Sequence, residues 1–302
     1  MKRLYILLTI LISAAFLSCN RHGYGLAFSD VKGTHFTEVR RAFNTGLVFD
    51  KIGYQLEPSW RFYFETDISV KVFSPKMKRY YSFHIYFDHD SIFNMVDTWF
   101  WLKKMNNDSM VLRTLRVENK QVKDNDEGSN VYMTFYSDEY LKKHSPANIQ
   151  KMGIPGSKDT AYIKAKSILA NTHVDSAFSA RVPVVLKSNS PFVKVEKIKS
   201  VSTPMNKIDP SIDYLYPEYN ITIHGAYEDF GYIFTVFVDD KGEMHFGESM
   251  IPYLPEFKAN YEHVIKSIIA GYLKRYLQVT PGTTLGISHT SSIYLNVTGK
   301  KE

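Results

Sequence analysis

Apolar and polar residues alternate at period two over much of the first half of the chain. Residues 60–66 (WRFYFET), 68–74 (ISVKVFS) and 80–88 (YYSFHIYFD) place aromatic or β-branched side chains at every second position, as strands with one buried face do. Residues 98–104 and 110–118 flank the polar stretch MNNDS and predict a hairpin. Residues 130–137, after the polar DNDEG, predict a further strand. Alternation of this kind, broken only by short polar turns, predicts an antiparallel meander.

The period then lengthens. Residues 138–144 read as a short helix, and Ser145-Pro146 supplies a cap and first-turn start for another. From Ser157 the pattern puts Tyr162, Ala165, Ile168 and Leu169 on one stripe of an amphipathic helix. Residues 182–188 and 191–198 return to strands. Pro204, Pro210 and Pro217 punctuate residues 201–218, which read as a linker. Beyond it, residues 219–225 and 231–238 predict strands. Asp239-Asp240-Lys241-Gly242 forms a tight turn in which Gly242 takes the positive-φ position. EMHFGES is the returning strand. Residues 257–276 form the strongest helix, with Phe257, Tyr261, Val264, Ile265, Ile268, Ile269, Tyr272 and Tyr276 on one side. Residues 292–298 are a final strand. The expected class is α+β, with an antiparallel β-rich domain with helices over residues 35–200 and a smaller hairpin–helix–strand domain over residues 219–302.

The first residues follow another rule. Lys2 and Arg3 precede an apolar run, residues 4–16, that is too short to span a bilayer but right for a secretory signal. The chain's single cysteine, Cys19, follows at once. An unpaired thiol in an exported chain needs an explanation. The segment Phe16-Leu17-Ser18-Cys19 resembles the lipobox of bacterial lipoproteins, and the chain as a whole resembles lipoproteins of Gram-negative, gut-type bacteria. The resemblance implies a signal peptide over residues 1–18, lipidation of Cys19, and a tether over residues 19–34. No Asp follows Cys19 and no acidic tract is present. The same resemblance therefore implies the outer membrane, facing the periplasm.

Charge adds little to this. The chain has 37 Lys+Arg and 31 Asp+Glu. Loss of residues 1–18 removes two of the basic residues and leaves a net charge of +4. The basic residues are scattered, which argues against a nucleic-acid partner. Nothing in the sequence indicates an oligomeric state.

The FTVFVDDKGEMHF hairpin, Thr280-Pro281-Gly282 and the strand Ile293-Tyr294-Leu295-Asn296-Val297 follow one another in an order that resembles the TonB C-terminal domain. The Pro-rich arm and the transmembrane anchor of that family are absent from this sequence. The resemblance implies that Ile293 to Val297 form an edge strand able to accept a partner strand by β-augmentation. An envelope protein is the partner class implied.

Local chemistry is sparse. His84, Asp88, His89 and Asp90 cluster in FHIYFDHD, but His84 and Asp88 lie about 13 Å apart on an extended strand, and the segment reads as a solvated turn. The sequence has no HExxH, CxxC, P-loop or GxGxxG pattern, so no metal and no cofactor is expected. Gly286-Ile287-Ser288-His289-Thr290 lacks the second glycine of a nucleophile elbow and reads as loop. Trp99 and Trp101 share one face of a predicted strand, either as core or as a stacking platform for a sugar or peptide. Asp followed by Ser or Thr and a small or apolar residue occurs at Ser91, Ser109, Thr160 and Ser176. About one such triplet is expected from ordinary composition. The triplet resembles an O-glycosylation acceptor of gut-type Gram-negative bacteria, and equally reads as turn and cap chemistry.

Together these features predict a membrane-tethered, non-enzymatic binding or scaffolding lipoprotein. The alternative is a glycan- or peptide-binding lipoprotein using Trp99 and Trp101. An envelope enzyme has no visible acid–base or nucleophile set to support it.

Overall fold

The computed structural model describes residues 28–123, 130–153, 155–200 and 209–301. The signal segment, Cys19 and residues 20–27 of the tether lie outside that range, as do residues 201–208 of the predicted linker. The architecture is α+β and dominated by strands. No helix among the described residues is long and apolar enough to cross a membrane. The chain forms two compact units, one of Met1–Thr45 with Glu57–Ile154 and the other of Gly46–Leu56 with Pro155–Glu302. The division therefore falls near residue 154, ahead of the proline-marked segment expected to be the linker. A short segment of the first half also belongs to the second unit.

The first unit is one antiparallel sheet. Its strands are β1 (His35–Phe43), β2 (Arg61–Thr66), β3 (Ser69–Ser74), β4 (Arg79–His84), β5 (Tyr86–Phe87), β6 (Ile92–Met95), β7 (Thr98–Met105), β8 (Ser109–Leu115) and β11 (Val131–Ser137), with a small separate hairpin of β9 (Val117–Glu118) and β10 (Gln121–Val122). Their spatial order is β4-β3-β2-β1-β11-β8-β7-β6-β5. β4 and β5 are opposite edges of this sheet, yet only Ile85 separates them in sequence. The chain can step between the edges in one residue only if the sheet curls until they meet. The result is a nearly closed up-and-down barrel.

Period-two alternation sends one side of each strand inward. Phe36, Phe62, Phe64, Phe93, Phe100 and Phe135 are fully buried there with Met95, Met110 and Leu112. Phe62 stacks on Phe135 at 4.8 Å and Phe93 on Phe100 at 5.6 Å. Phe28, just before the first turn, stacks on Phe64 at 4.6 Å, and the Gly33 N–H donates to the Phe64 carbonyl at 2.8 Å. These contacts seat the entry segment on the barrel. Two short helices, α1 (Asp138–Lys142) and α2 (Pro146–Gly153), follow β11. Both were legible in the sequence.

The second unit is built on a five-stranded sheet of β13 (Val193–Ile198), β14 (Glu218–His224), β15 (Phe230–Val238), β16 (Met244–Ser249) and β20 (Ser291–Lys300). The order is β13-β14-β20-β15-β16. β20 runs parallel to β14 and antiparallel to β15. The predicted hairpin is β15–β16, and Gly242 in its turn has φ +87°. Helix α5 (Lys258–Ile268), continued by a π turn (Ile269–Leu273) and a last α turn, α6 (Lys274–Tyr276), packs Ile265, Ile268, Ile269 and Leu273 onto Phe234, Val236, Ile293, Leu295 and Val297. Phe257 and Tyr261, expected on the buried stripe, are exposed instead.

Helix α3 (Ser157–Thr172) also differs from expectation. It buries Asp159, Ile163, Ser167 and Ala170, and exposes Ile168 and Leu169. The cause is its first turn. The Asp159 carboxylate accepts from the Gly156 N–H and from the Val48 N–H, both at 2.8 Å. A polar residue thereby fixes which face turns inward. The remaining strands are short: β12 (Val185–Ser188) pairs with β17 (Leu277–Thr280), and β18 (Thr283–Thr284) with β19 (Ile287–Ser288).

A candidate binding cleft on the second unit

A cleft of about 220 Å³ opens on the sheet face turned away from helix α5. Alternation along β15 and β20 determines its floor. Val236, Val238, Ile293 and Leu295 face the helix, so Phe237, Ser292 and Tyr294 face the opposite way. Lys51 and Ile52 of the crossing segment, residues 177–179, and Leu215-Tyr216 at the end of helix α4 (Ile212–Leu215) form the walls.

Those walls are held firmly. Gly53 has φ +94°, and a Cβ there would lie 2.3 Å from the Ser179 carbonyl oxygen. Only glycine allows this approach, which lets the Ser179 N–H donate to the Ile52 carbonyl at 2.9 Å. The Ser179 hydroxyl donates to the Leu215 carbonyl at 2.8 Å. The Asp50 carboxylate accepts from the Ile52 and Tyr54 N–H groups at 2.9 and 2.8 Å, which closes the local turn. Tyr214 is buried; its hydroxyl accepts from the Gln55 N–H at 3.0 Å, and the Arg181 guanidinium lies 4.5 Å over its ring.

The cleft is aromatic with polar edges. Tyr216 meets Tyr294 edge-on at 6.3 Å. Burial raises the Tyr294 phenol above its ordinary range, and the neighbouring Tyr216 and Glu248 add to the rise, so it stays a neutral donor. One face of Phe178 stacks on His289 at 3.7 Å, nearly parallel, and the Lys166 ammonium lies 4.8 Å from the Phe178 ring. His289 is fully buried. Its Nδ1 faces the Thr290 carbonyl at 3.2 Å, so Nδ1 carries the proton. Its Nε2 then accepts from the Thr284 hydroxyl at 2.9 Å. Burial pushes its pKa down to about 4. His289 is therefore a neutral wall support with both nitrogens engaged. Aromatic faces, hydroxyls and the Lys51 ammonium equip the cleft to recognise a ring-bearing ligand. Among the described residues no group of three or more His, Cys, Asp or Glu could hold a metal ion.

Of the residues singled out in the sequence, only Tyr294 lines this cleft. Trp99 and Trp101 do share a face of β7, the outer face of the barrel, opposite the buried Phe100. Both are half-buried, and the Lys103 ammonium sits 3.3 Å from the Trp101 ring centre with Arg113 at 5.8 Å. The tryptophans belong to the first unit and the tyrosine cleft to the second. Ile293 to Val297 do not form an edge. β20 is the central strand, hydrogen-bonded on both sides, and the edges are β13 and β16. The sequence could not show this, because the parallel partner β14 enters from some seventy residues earlier. Ser91, in a turn, Ser109, the first residue of β8, and Ser176, at the end of a 3-10 turn, are half-buried, and Thr160 is exposed on the first turn of α3, where its hydroxyl donates to the Gly156 carbonyl at 3.2 Å. His89 and Asp88 form an exposed pair at 3.1 Å, and His84 meets Tyr86 edge-on at 4.6 Å. Tyr294 was noted only as part of a strand; Tyr216 fell within the segment read as a linker, and Lys51 in a stretch to which the pattern assigned no element. No known family model matches the chain, and no curated protein matches its sequence.

Proposed function

We propose that the chain is a lipid-anchored protein of the bacterial envelope that acts as a non-enzymatic binding module, with the second-unit cleft as its ligand site. The observation that carries this reading is the Tyr216–Tyr294 pair beside Phe237 and Ser292, with Lys51 in the wall. A volume of about 220 Å³ suits one sugar ring. Tyrosine faces stack on such rings, the hydroxyls match their hydroxyls, and the ammonium favours an acidic substituent. Saturation-transfer NMR with uronic-acid oligosaccharides tests it. Transfer to the sugar, reduced at least tenfold in Tyr294→Ala, is expected. Equal signals from wild type and variant would sink the assignment.

The order β16-β15-β20, with a helix between the hairpin and the last strand, supports the likeness of residues 219–302 to a TonB-type domain. Partner binding by strand addition would then have to use β13 or β16. The charged Lys194, Glu196 and Lys197 guard β13. The anchor is supported by the leader and by Cys19. Labelled palmitate should enter the wild-type protein and not Cys19→Ala, and both the label and the protein should fractionate with the outer membrane. Inner-membrane fractionation would overturn the location, and an unlabelled wild type would overturn the anchor.

A further inference from the structure

The connection from β16 to α5 carries a continuous apolar surface. Met250, Ile251, Leu254 and Phe257 are 45, 42, 60 and 50% exposed. The Met250 N–H donates to the Ile233 carbonyl at 2.8 Å, which holds the start of the connection against β15. Tyr253 stacks on Tyr261 at 5.6 Å, and Tyr261 meets Tyr232 edge-on at 6.2 Å. Between Ser249 and Phe257 the only formally charged residue is Glu256, which is exposed beside Pro255. Tyr232 packs against the core beneath, but Met250, Ile251, Leu254 and Phe257 take no part in it, so folding alone does not account for those four.

Pro252 and Pro255 remove two backbone donors, so the loop is ill suited to adding a strand to another sheet. Apolar tips flanked by tyrosines match the chemistry of a bilayer interface, where tyrosine settles at headgroup depth. The flanking charges are of both signs: Glu248 and Glu256 border the apolar tip, and Glu262 lies 3.8 Å from Lys258 and 3.3 Å from Lys266. The stretch of sequence between Cys19 and Phe28, which begins the first unit, is short. Nine residues from Cys19 to Phe28 reach at most about 30 Å, so a lipid on Cys19 keeps the protein at the membrane surface. A few apolar side chains hold a bilayer weakly alone, but a tether makes their contact intramolecular.

We propose that residues 250–257, with Tyr232 and Tyr261, form a second membrane contact that seats in the headgroup region of the bilayer bearing the anchor. This rests on the lipid-anchored reading above. The test uses the full-length lipidated protein, in which Cys19 is consumed by its lipid. Leu254→Cys supplies a single thiol for a nitrobenzoxadiazole label, and Lys241→Cys is the control. Each is reconstituted in vesicles of phosphatidylethanolamine and phosphatidylglycerol with and without doxyl-labelled acyl chains. A blue-shifted emission at 254, quenched severalfold by doxyl lipid, with neither effect at 241, is the expected result. Solvent-like emission at 254 overturns the membrane contact, and a blue shift without lipid quenching overturns it in favour of a protein partner or a second copy. The N-terminal peptide mass and vesicle flotation report the anchor separately. An anchored protein with an unquenched 254 sinks only the loop contact, whereas a chain without lipid on Cys19 sinks both.

Discussion

Glu38 is a charged residue on a barrel strand, and its side chain is fully buried. Arg41 donates to both of its carboxylate oxygens at 2.7 Å, and the Ser59 and Trp60 N–H groups donate to one of them at 2.8 and 3.0 Å. Four donors offset the desolvation of the carboxylate. Glu38→Ala strands all four and is expected to cost about 3 kcal/mol; a loss under about 1 kcal/mol in urea unfolding would contradict this account. His289 gives a pH prediction. Its folded pKa, about 4, lies below the unfolded value of 6.5. Between those values the unfolded chain binds a proton that the folded chain does not. The contribution is fully present above pH 6.5 and is lost as pH falls toward 4, by about 3 kcal/mol. His289→Gln should flatten the urea midpoint against pH over that window relative to wild type. Parallel pH profiles for the two proteins would refute it.

At the scale of elements, pattern and partner act separately. Most strands of the barrel, though not β1 or β6, the β15–β16 hairpin and the long helix were legible because alternation and 3.6-residue periodicity are local properties. The buried face of α3 was not. Its apolar residues predicted one stripe, but Asp159, held by Gly156 and Val48, turned another inward. The status of β20 was also hidden, since a strand's sequence does not reveal how many neighbours it will have. Gly53 is the element-scale test of the cleft. Gly53→Ala adds both a left-handed-region penalty and a clash with the Ser179 carbonyl. It should cost about 2 kcal/mol or more and raise amide exchange at Ile52 and Ser179. A variant as stable as wild type, with unchanged exchange, would show that the wall is not held in this way.

For the molecule as a whole, each unit has its own core: phenylalanines and methionines in the barrel, aliphatic residues between sheet and helix in the other. Phe100→Ala should destabilise the barrel by about 3–5 kcal/mol, and Leu295→Ala the second unit by about 2–5 kcal/mol. Amide exchange should quicken first in the unit that carries the change. The same acceleration in both units from either substitution would argue that they share one core.

The sequence by itself determined the strand-rich α+β class and most element positions, because each depends on residues close along the chain. Tertiary structure alone decided that the meander curls until β4 meets β5, that residues 46–56 cross into the second unit, and that β20 lies at the centre of its sheet. It also assembled the cleft from Lys51, Phe178, Tyr216 and Tyr294. These features depend on long-range pairing, on a glycine that admits a backbone neighbour, and on a buried carboxylate that chooses a helix face. None of these leaves a periodic trace in the order of residues.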